Sequence, residues 1–204
     1  MPVEFIHKFL PGRLPVTVLL LHGSGGDEND LLPVARALAP GAAFLSPRGK
    51  VMDQGLRRFF ALDRSDLHER AAELAEWVGE AAKQYRIDPA RLYALGYSNG
   101  ANIAAALMLL HPGSMAGACL LRSRAMVGAE AFPDGLPSLE GAPVLISAGQ
   151  SDHLITPGDA EALAKLLTDA GARVDLAIQN AGHDLTPADF SLAKQWFSKA
   201  MAAG

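Results

Sequence analysis

Residues 92–104 read LYALGYSNGANIA, and they set a serine between two glycines where a β-type run gives way to an alanine-rich helical one. Within them, Gly96-Tyr97-Ser98-Asn99-Gly100 has the form Gly-x-Ser-x-Gly between a predicted strand and a predicted helix. In that context the motif marks a nucleophile. A turn this sharp strains the serine backbone and brings the flanking positions against their neighbours, so side chains two residues either side of Ser98 would collide. The turn also lifts the hydroxyl above a sheet at a helix N-terminus, where main-chain N–H groups point outward. A plain tight turn would use the same residues, so the rest of the chain decides between the two readings.

Outward from the motif, short β-rich runs alternate with longer helical ones. The candidate strands are Val3–Phe9, Val16–Leu21, Ala43–Ser46, Leu92–Gly96, Ala118–Leu121, Val144–Ala148 and Arg173–Ile178. Most are continuously apolar, as strands covered by helices on both faces must be. Leu67, Ala71, Leu74, Val78, Ala81 and Tyr85 recur every three or four residues, which predicts an amphipathic helix over roughly Ser65–Arg86. The run from Asn99 to His111 is apolar nearly all round, as a helix packed on the middle of a sheet would be. Thr156, Pro157 and Asp159 form a helix start that ends at Gly171, and Thr186 opens a similar start before Phe190, Ala193 and Phe197. Alternation of this kind predicts a mostly parallel α/β sheet with right-handed crossovers. Its reactive groups belong just beyond the carboxyl ends of the strands.

The 204 residues suit one domain over 1–204, with a formal charge of −4 and no Lys/Arg cluster. That balance argues against a nucleic-acid partner, which needs a basic face. A single cysteine, Cys119, excludes an internal disulfide, offers no metal pattern and reads as a buried hydrophobe. The N-terminus has neither the basic start nor the apolar stretch of a signal peptide. The longest apolar strip, PVTVLLLHG, falls far short of the ~20 residues of a membrane span. The expectation is a soluble, cytoplasmic protein without membrane insertion, and a homodimer is compatible with it.

A serine hydroxyl attacks only when a base takes its proton. His183, in NAGHDLTP, follows the last predicted strand and precedes the last helix, so it is the candidate base. His7 and His111 read as packing or surface residues, His68 lies in the first turn of a long helix, and His153 sits where an orienting group belongs. Asp152, in ISAGQSDHLITP, follows a strand and precedes a capped helix, which suits an acid that holds the imidazole tautomer. Asp184 adjoins His183 and could hardly reach round to its ring nitrogen, and Asp175 lies within a strand. His22-Gly23-Ser24-Gly25-Gly26 follows another strand, and its glycines let the backbone turn amides toward the site. The amides of Ser24 and Asn99 are the candidate oxyanion hole, with His22 bracing the loop. The loop lacks the Gly-Lys-Ser/Thr and Gly-x-Gly-x-x-Gly signatures of phosphate cradles. The order Ser…Asp…His is that of α/β-hydrolases.

With these motifs in place the sequence resembles the α/β-hydrolase superfamily, and within it the phospholipase/carboxylesterase group of small, nearly lidless serine esterases. That group includes the acyl-protein thioesterases and bacterial carboxylesterases. LLLHGSGGDENDLLPVA, SPRGKV…GLRRFF, LGYSNGANIA, AGQSDHLITP and AGHDL carry the resemblance, and the second is similar to the bacterial branch linked to copper- or hydroquinone-induced hydrolases. The resemblance implies an antiparallel strand near the start of the sheet, here Val3–Phe9, and a triad of Ser98, Asp152 and His183. One departure is LLRSRAMVG, where Arg122 and Arg124 flank the turn after a central strand.

The chemistry so implied is two-step acyl transfer on an ester, without metal or organic cofactor. Acyl-thioesterase or lysophospholipase action on the same triad stays open, as does a hydrolase-fold receptor of low turnover. Dienelactone hydrolysis in the related family uses a cysteine nucleophile, where this chain has Ser98. The stretch Arg122–Ala142 is short and rich in Gly and Pro, which leaves little room for a lid and suits small or single-chain acyl esters. The loop SPRGKVMDQGLRRFFALD should border the pocket. Phe59, Phe60, Met52 and Met126 are candidates to line an acyl groove, and Arg57 or Arg58 to meet a polar or anionic substrate group.

Overall fold

The computed structural model describes residues 4–203. Seven strands form one sheet: β1 His7–Leu10, β2 Thr17–Leu21, β3 Ala43–Pro47, β6 Leu92–Tyr97, β7 Gly117–Leu121, β8 Pro143–Gly149 and β9 Arg173–Gln179. A separate antiparallel hairpin is made by β4, Val51–Asp53, and β5, Leu56–Arg58. In the sheet the order is β1-β3-β2-β6-β7-β8-β9, and only β1 runs antiparallel to its neighbour. The helices are α1 Leu32–Leu38, α2 Leu67–Tyr85, α3 Asn99–Leu110, α4 Pro157–Asp169 and α5 Pro187–Ala203. This is an α/β-hydrolase architecture.

The two-residue period of the strands sorts the apolar side chains into two cores. Leu19, Leu21, Ala94, Leu120 and Ile146 face α2, α3 and α4. Val18, Leu20, Tyr93, Leu95, Cys119 and Leu145 face α1 and α5. Burial of one such Leu or Ile is worth about 1.5–3 kcal/mol, which is why strands covered on both sides read as unbroken apolar runs. Every residue of α3 except Leu110 is buried, because this helix lies across the centre of the sheet. Cys119 is a free, fully buried thiol, and burial pushes its pKa up.

Three elements depart from the sequence reading. The first strand was expected from Val3; Val3 lies outside the described residues, and pairing begins at His7, opposite Pro47, and ends at Leu10, opposite Phe44. The helix α1 carried no visible start, because Leu31 occupies its N-cap without a side-chain cap and only two turns follow. The hairpin sits inside the stretch read as a loop. Its central residues Gln54 and Gly55 both have positive φ, 51° and 75°, as a type I′ turn requires. Asn-Gly would have announced that turn, and Gln-Gly concealed it.

Between β7 and β8 the chain holds only a single 3₁₀ turn, Ala129–Ala131, so no helical lid is inserted there. Among the described residues no helix is long and apolar enough to cross a membrane.

Candidate active site

The β6–α3 turn is tight enough to dictate its sequence. Ser98 adopts φ 53° and ψ −117°, a strained conformation for a residue with a Cβ. Its N–H donates to the Leu121 carbonyl at 2.9 Å, and its own carbonyl accepts from Asn102 N–H at 2.9 Å. A Cβ on Gly100 would meet the Leu21 carbonyl oxygen at 2.0 Å, and one on Gly96 would meet Ala101 Cα at 2.6 Å. Neither flank could carry a side chain without moving backbone.

His183, on the loop between β9 and α5, reaches Ser98 Oγ through Nε2 at 3.0 Å. Its Nδ1 lies 2.8 Å from Asp152 Oδ2, on the loop after β8. The other oxygen of Asp152 accepts from the amides of Leu154 at 2.8 Å and Ile155 at 3.0 Å. Burial pushes the Asp152 carboxyl up, but the Ile155 amide, the His183 imidazole and the Leu154 amide together hold it below the usual range. With Oδ2 ionised, Nδ1 is the donor of the pair and Nε2 faces the hydroxyl as an acceptor. The two loops are tied by backbone as well, through Ser151 N–H donating to the Ala181 carbonyl at 2.9 Å. Tyr97 adds an O–H bond to the His183 carbonyl at 3.2 Å and a ring contact at 5.5 Å. Asp184 is exposed, and the other histidines lie elsewhere: His7 bonds Phe5 and Tyr85, while His68 and His153 are exposed.

The Gly-rich loop after β2 is braced from below. His22 is buried, its Nδ1 bonding the Gly23 carbonyl at 2.7 Å while Nε2 accepts from Gly49 N–H at 2.9 Å. Burial lowers its pKa, which keeps the ring neutral and able to accept. Ser24 lines the site, and its hydroxyl accepts from the Arg58 guanidinium. Asn99 opens α3, so its N–H is one of the donors a helix leaves without an internal partner. Its side chain holds the opposite wall, accepting from Phe59 N–H at 2.7 Å and donating to the Phe60 carbonyl at 3.2 Å.

A cavity of about 390 Å³ opens beside Ser98 and His183. Of the residues proposed from sequence to line it, Arg58, Phe60 and Met126 do so. Arg57, Phe59 and Met52 do not. Arg57 turns away to the Gly49 carbonyl at 3.2 Å, Phe59 is a core residue 4.7 Å from the His22 ring, and Met52 is exposed on the hairpin. The hairpin explains Met52 and Arg57, which are cross-strand partners and so share its face away from Arg58, while Phe59 lies just beyond β5 and turns into the core. Leu56, Leu62, Leu154 and Ile155 complete the apolar walls. Among the described residues no cluster of three or more His, Cys, Asp or Glu is placed to hold a metal ion.

Sequence reasoning did not find what holds the His183 loop. Arg122, fully buried with φ 57°, donates from Nε to the Gly182 carbonyl at 3.0 Å and from Nη2 to the Asp184 carbonyl at 2.9 Å, so it grips both sides of His183. Its remaining donors reach the Ser147 carbonyl at 3.2 Å and both oxygens of Asp189 at 2.8 and 2.9 Å. All five N–H groups of the guanidinium are thereby matched. Asp189 also accepts from Ser147 Oγ and from the amide and hydroxyl of Thr186. The arginine after an apolar strand and the acid in the last helix start were each visible; their pairing across 67 residues was not.

The chain is 38% identical over 202 residues to MhqD of Bacillus subtilis (strain 168), a protein named as a hydrolase, with 96% of this chain and 98% of the relative covered. The crystal structure of the Bacillus cereus carboxylesterase superposes with a TM-score of 0.90 at 39% identity, covering 96% of this chain and 94% of the other. A carboxylesterase from Mesorhizobium loti gives 0.85 at 35% identity, covering 95% and 94%. No protein-family model matches the chain. With sequence, length and fold in agreement, the chain belongs to the carboxylesterase family of α/β-hydrolases, whose members are carboxylic ester hydrolases.

Proposed function

We propose that this protein is a serine esterase that cleaves small or single-chain acyl esters through an acyl-enzyme on Ser98, its 204 residues acting as one domain. His183 Nε2 takes the Ser98 proton as Oγ attacks the ester carbonyl. The developing oxyanion turns toward the amides of Ser24 and Asn99, where each donor is typically worth about 10²–10³ in rate. Asp152 holds the imidazole with Nε2 unprotonated and stabilises the imidazolium once the proton arrives. The imidazolium then protonates the departing alcohol oxygen, and water, deprotonated by the same ring, releases the carboxylic acid and restores Ser98.

The observation that carries this reading is the position of one ring, with Nε2 at 3.0 Å from Ser98 Oγ and Nδ1 at 2.8 Å from the buried Asp152. The size of the cleft, its apolar walls and the missing lid favour short or single chains over bulky triglycerides. Ser98→Ala tests the reading directly. Turnover of a short-chain p-nitrophenyl ester is expected to fall by about 10⁶-fold, and labelling by a fluorophosphonate to disappear. Labelling that persists in the variant would assign the nucleophile to another residue.

A further inference from the structure

The cleft beside Ser98 carries positive charge in a chain whose formal charge is −4. Among the described residues two arginines line it, Arg58 and Arg124, and no Asp, Glu or Lys does. The two are not equivalent. Arg58 is committed to the structure, 3.4 Å from Asp53 and bonded to the Ser24 hydroxyl. The Arg124 side chain has no hydrogen bond and no ion pair among the described residues.

The base of Arg124 is nevertheless rigid. Its N–H donates to Asn102 Oδ1 at 3.0 Å, and the hydroxyl of the neighbouring Ser123, itself fully buried, bonds the same oxygen at 3.2 Å. Asn102 in turn stands one helical turn from the elbow, its N–H on the Ser98 carbonyl at 2.9 Å. The backbone of Arg124 thus holds a fixed relation to Ser98, the residue is half-buried, and its planar, permanently charged head is uncommitted. A guanidinium with no protein partner keeps its fork of N–H donors available to a carboxylate. The apolar side chains of Met126 and Ile155 line the same cleft as that head and the nucleophile.

Resting on the esterase reading above, we propose that the substrate carries a carboxylate as well as the scissile ester, and that Arg124 binds this carboxylate while the ester lies over Ser98. The substrate class is then half-esters of small dicarboxylic acids, or esters of alcohols that bear an acid group. The apolar spacer between the two functions packs on Met126 and Ile155.

Two matched pairs of substrates test this with the purified protein. Mono-4-nitrophenyl adipate against 4-nitrophenyl hexanoate places the charge on the acyl side. The pair 4-acetoxybenzoate and 4-acetoxybenzamide places it on the alcohol side. In at least one pair the anionic member should show the higher kcat/KM, and added salt should narrow that preference. In Arg124→Gln the ratio of anionic to neutral kcat/KM should fall about 10- to 100-fold, the range of a lost charge-assisted hydrogen bond. Arg124→Lys should retain part of the ratio, because it keeps the charge and loses the planar fork. No charge preference in either pair, or a ratio that Arg124→Gln leaves in place, overturns the proposal. Absence of turnover on all four esters together with no fluorophosphonate labelling of Ser98 would overturn the esterase reading as well.

Discussion

Two buried carboxylates stand on either side of the His183 loop, and their partners make them different devices. Asp152 faces an imidazole at 2.8 Å, a partner that is charged only when it holds a second proton. Asp189 faces the Arg122 guanidinium, charged at every working pH and wholly excluded from solvent. The first pair gains strength at the moment a proton moves, which suits it to a step in a reaction. The second has the same strength throughout, which suits it to fixing where that reaction happens. Asp152→Asn should separate the two roles most sharply. The amide would present a donor to Nδ1 and favour the tautomer whose Nε2 carries the proton. For the proposed mechanism that predicts a fall in kcat of about 10⁴-fold, with the fold retained. Circular dichroism and p-nitrophenyl ester kinetics on one preparation check it, and a comparable loss in Asp184→Asn instead would mean that the orienting acid had been misassigned.

Breaking the other pair should have the opposite signature, a loss of stability first and of activity as a consequence. Arg122→Met leaves the Asp189 carboxylate unpaired and strips the carbonyls of Gly182 and Asp184 of their donors. Removing one partner of a buried ion pair typically costs about 3–5 kcal/mol. Urea unfolding should show that loss. Arg122→Met/Asp189→Asn should regain part of it, since the amide removes the uncompensated charge while its carbonyl oxygen can still accept from the Thr186 amide. The double variant should still be a poor esterase, because nothing then grips the two carbonyls beside His183. Full activity in the double variant would show that the loop positions itself without the clamp.

The same contrast explains what could be read from the sequence. Ser98, Asp152 and His183 each follow a strand, and local rules place them: a Gly-x-Ser-x-Gly turn, a capped helix start, a loop before the last helix. The five inner strands of the sheet were legible because burial on both faces makes their composition nearly all apolar, whereas the edge strands β1 and β9 carry exposed polar residues. What escaped depends on contacts between distant segments. The Arg122 clamp joins β7, β8 and α5, and no local pattern reports which acid a buried arginine will find. Arg58 was legible as a pocket residue, but its hydrogen bond to Ser24 and its ion pair with Asp53 depend on a hairpin whose Gln-Gly turn gave no signal. Short elements with unmarked ends, α1 and the hairpin, were hidden for that reason, whereas long helices with Thr-initiated starts were not.

The smallest effect on this comparison is expected from acid. Burial pushes the Asp189 carboxyl up, and the Arg122 guanidinium, the Ser147 hydroxyl and the Thr186 amide and hydroxyl outweigh it, holding the group at about 2. An unfolded chain binds that proton near pH 4, so between about pH 4 and pH 2 the unfolded state holds more protons than the folded one. Stability from this group is therefore full above pH 4 and is lost as pH falls through 2, by about 2 kcal/mol. Asp152, also lowered, acts in the same direction. Urea melts at pH 4, 3 and 2.5 should show the native protein losing its advantage over Asp189→Asn across this window, while the gap between them stays constant from pH 5 to 7. A gap that widens as pH falls would mean that the Asp189 carboxyl takes up its proton earlier in the folded chain than in the unfolded one. Arg122 would then be doing less for that charge than burial does against it.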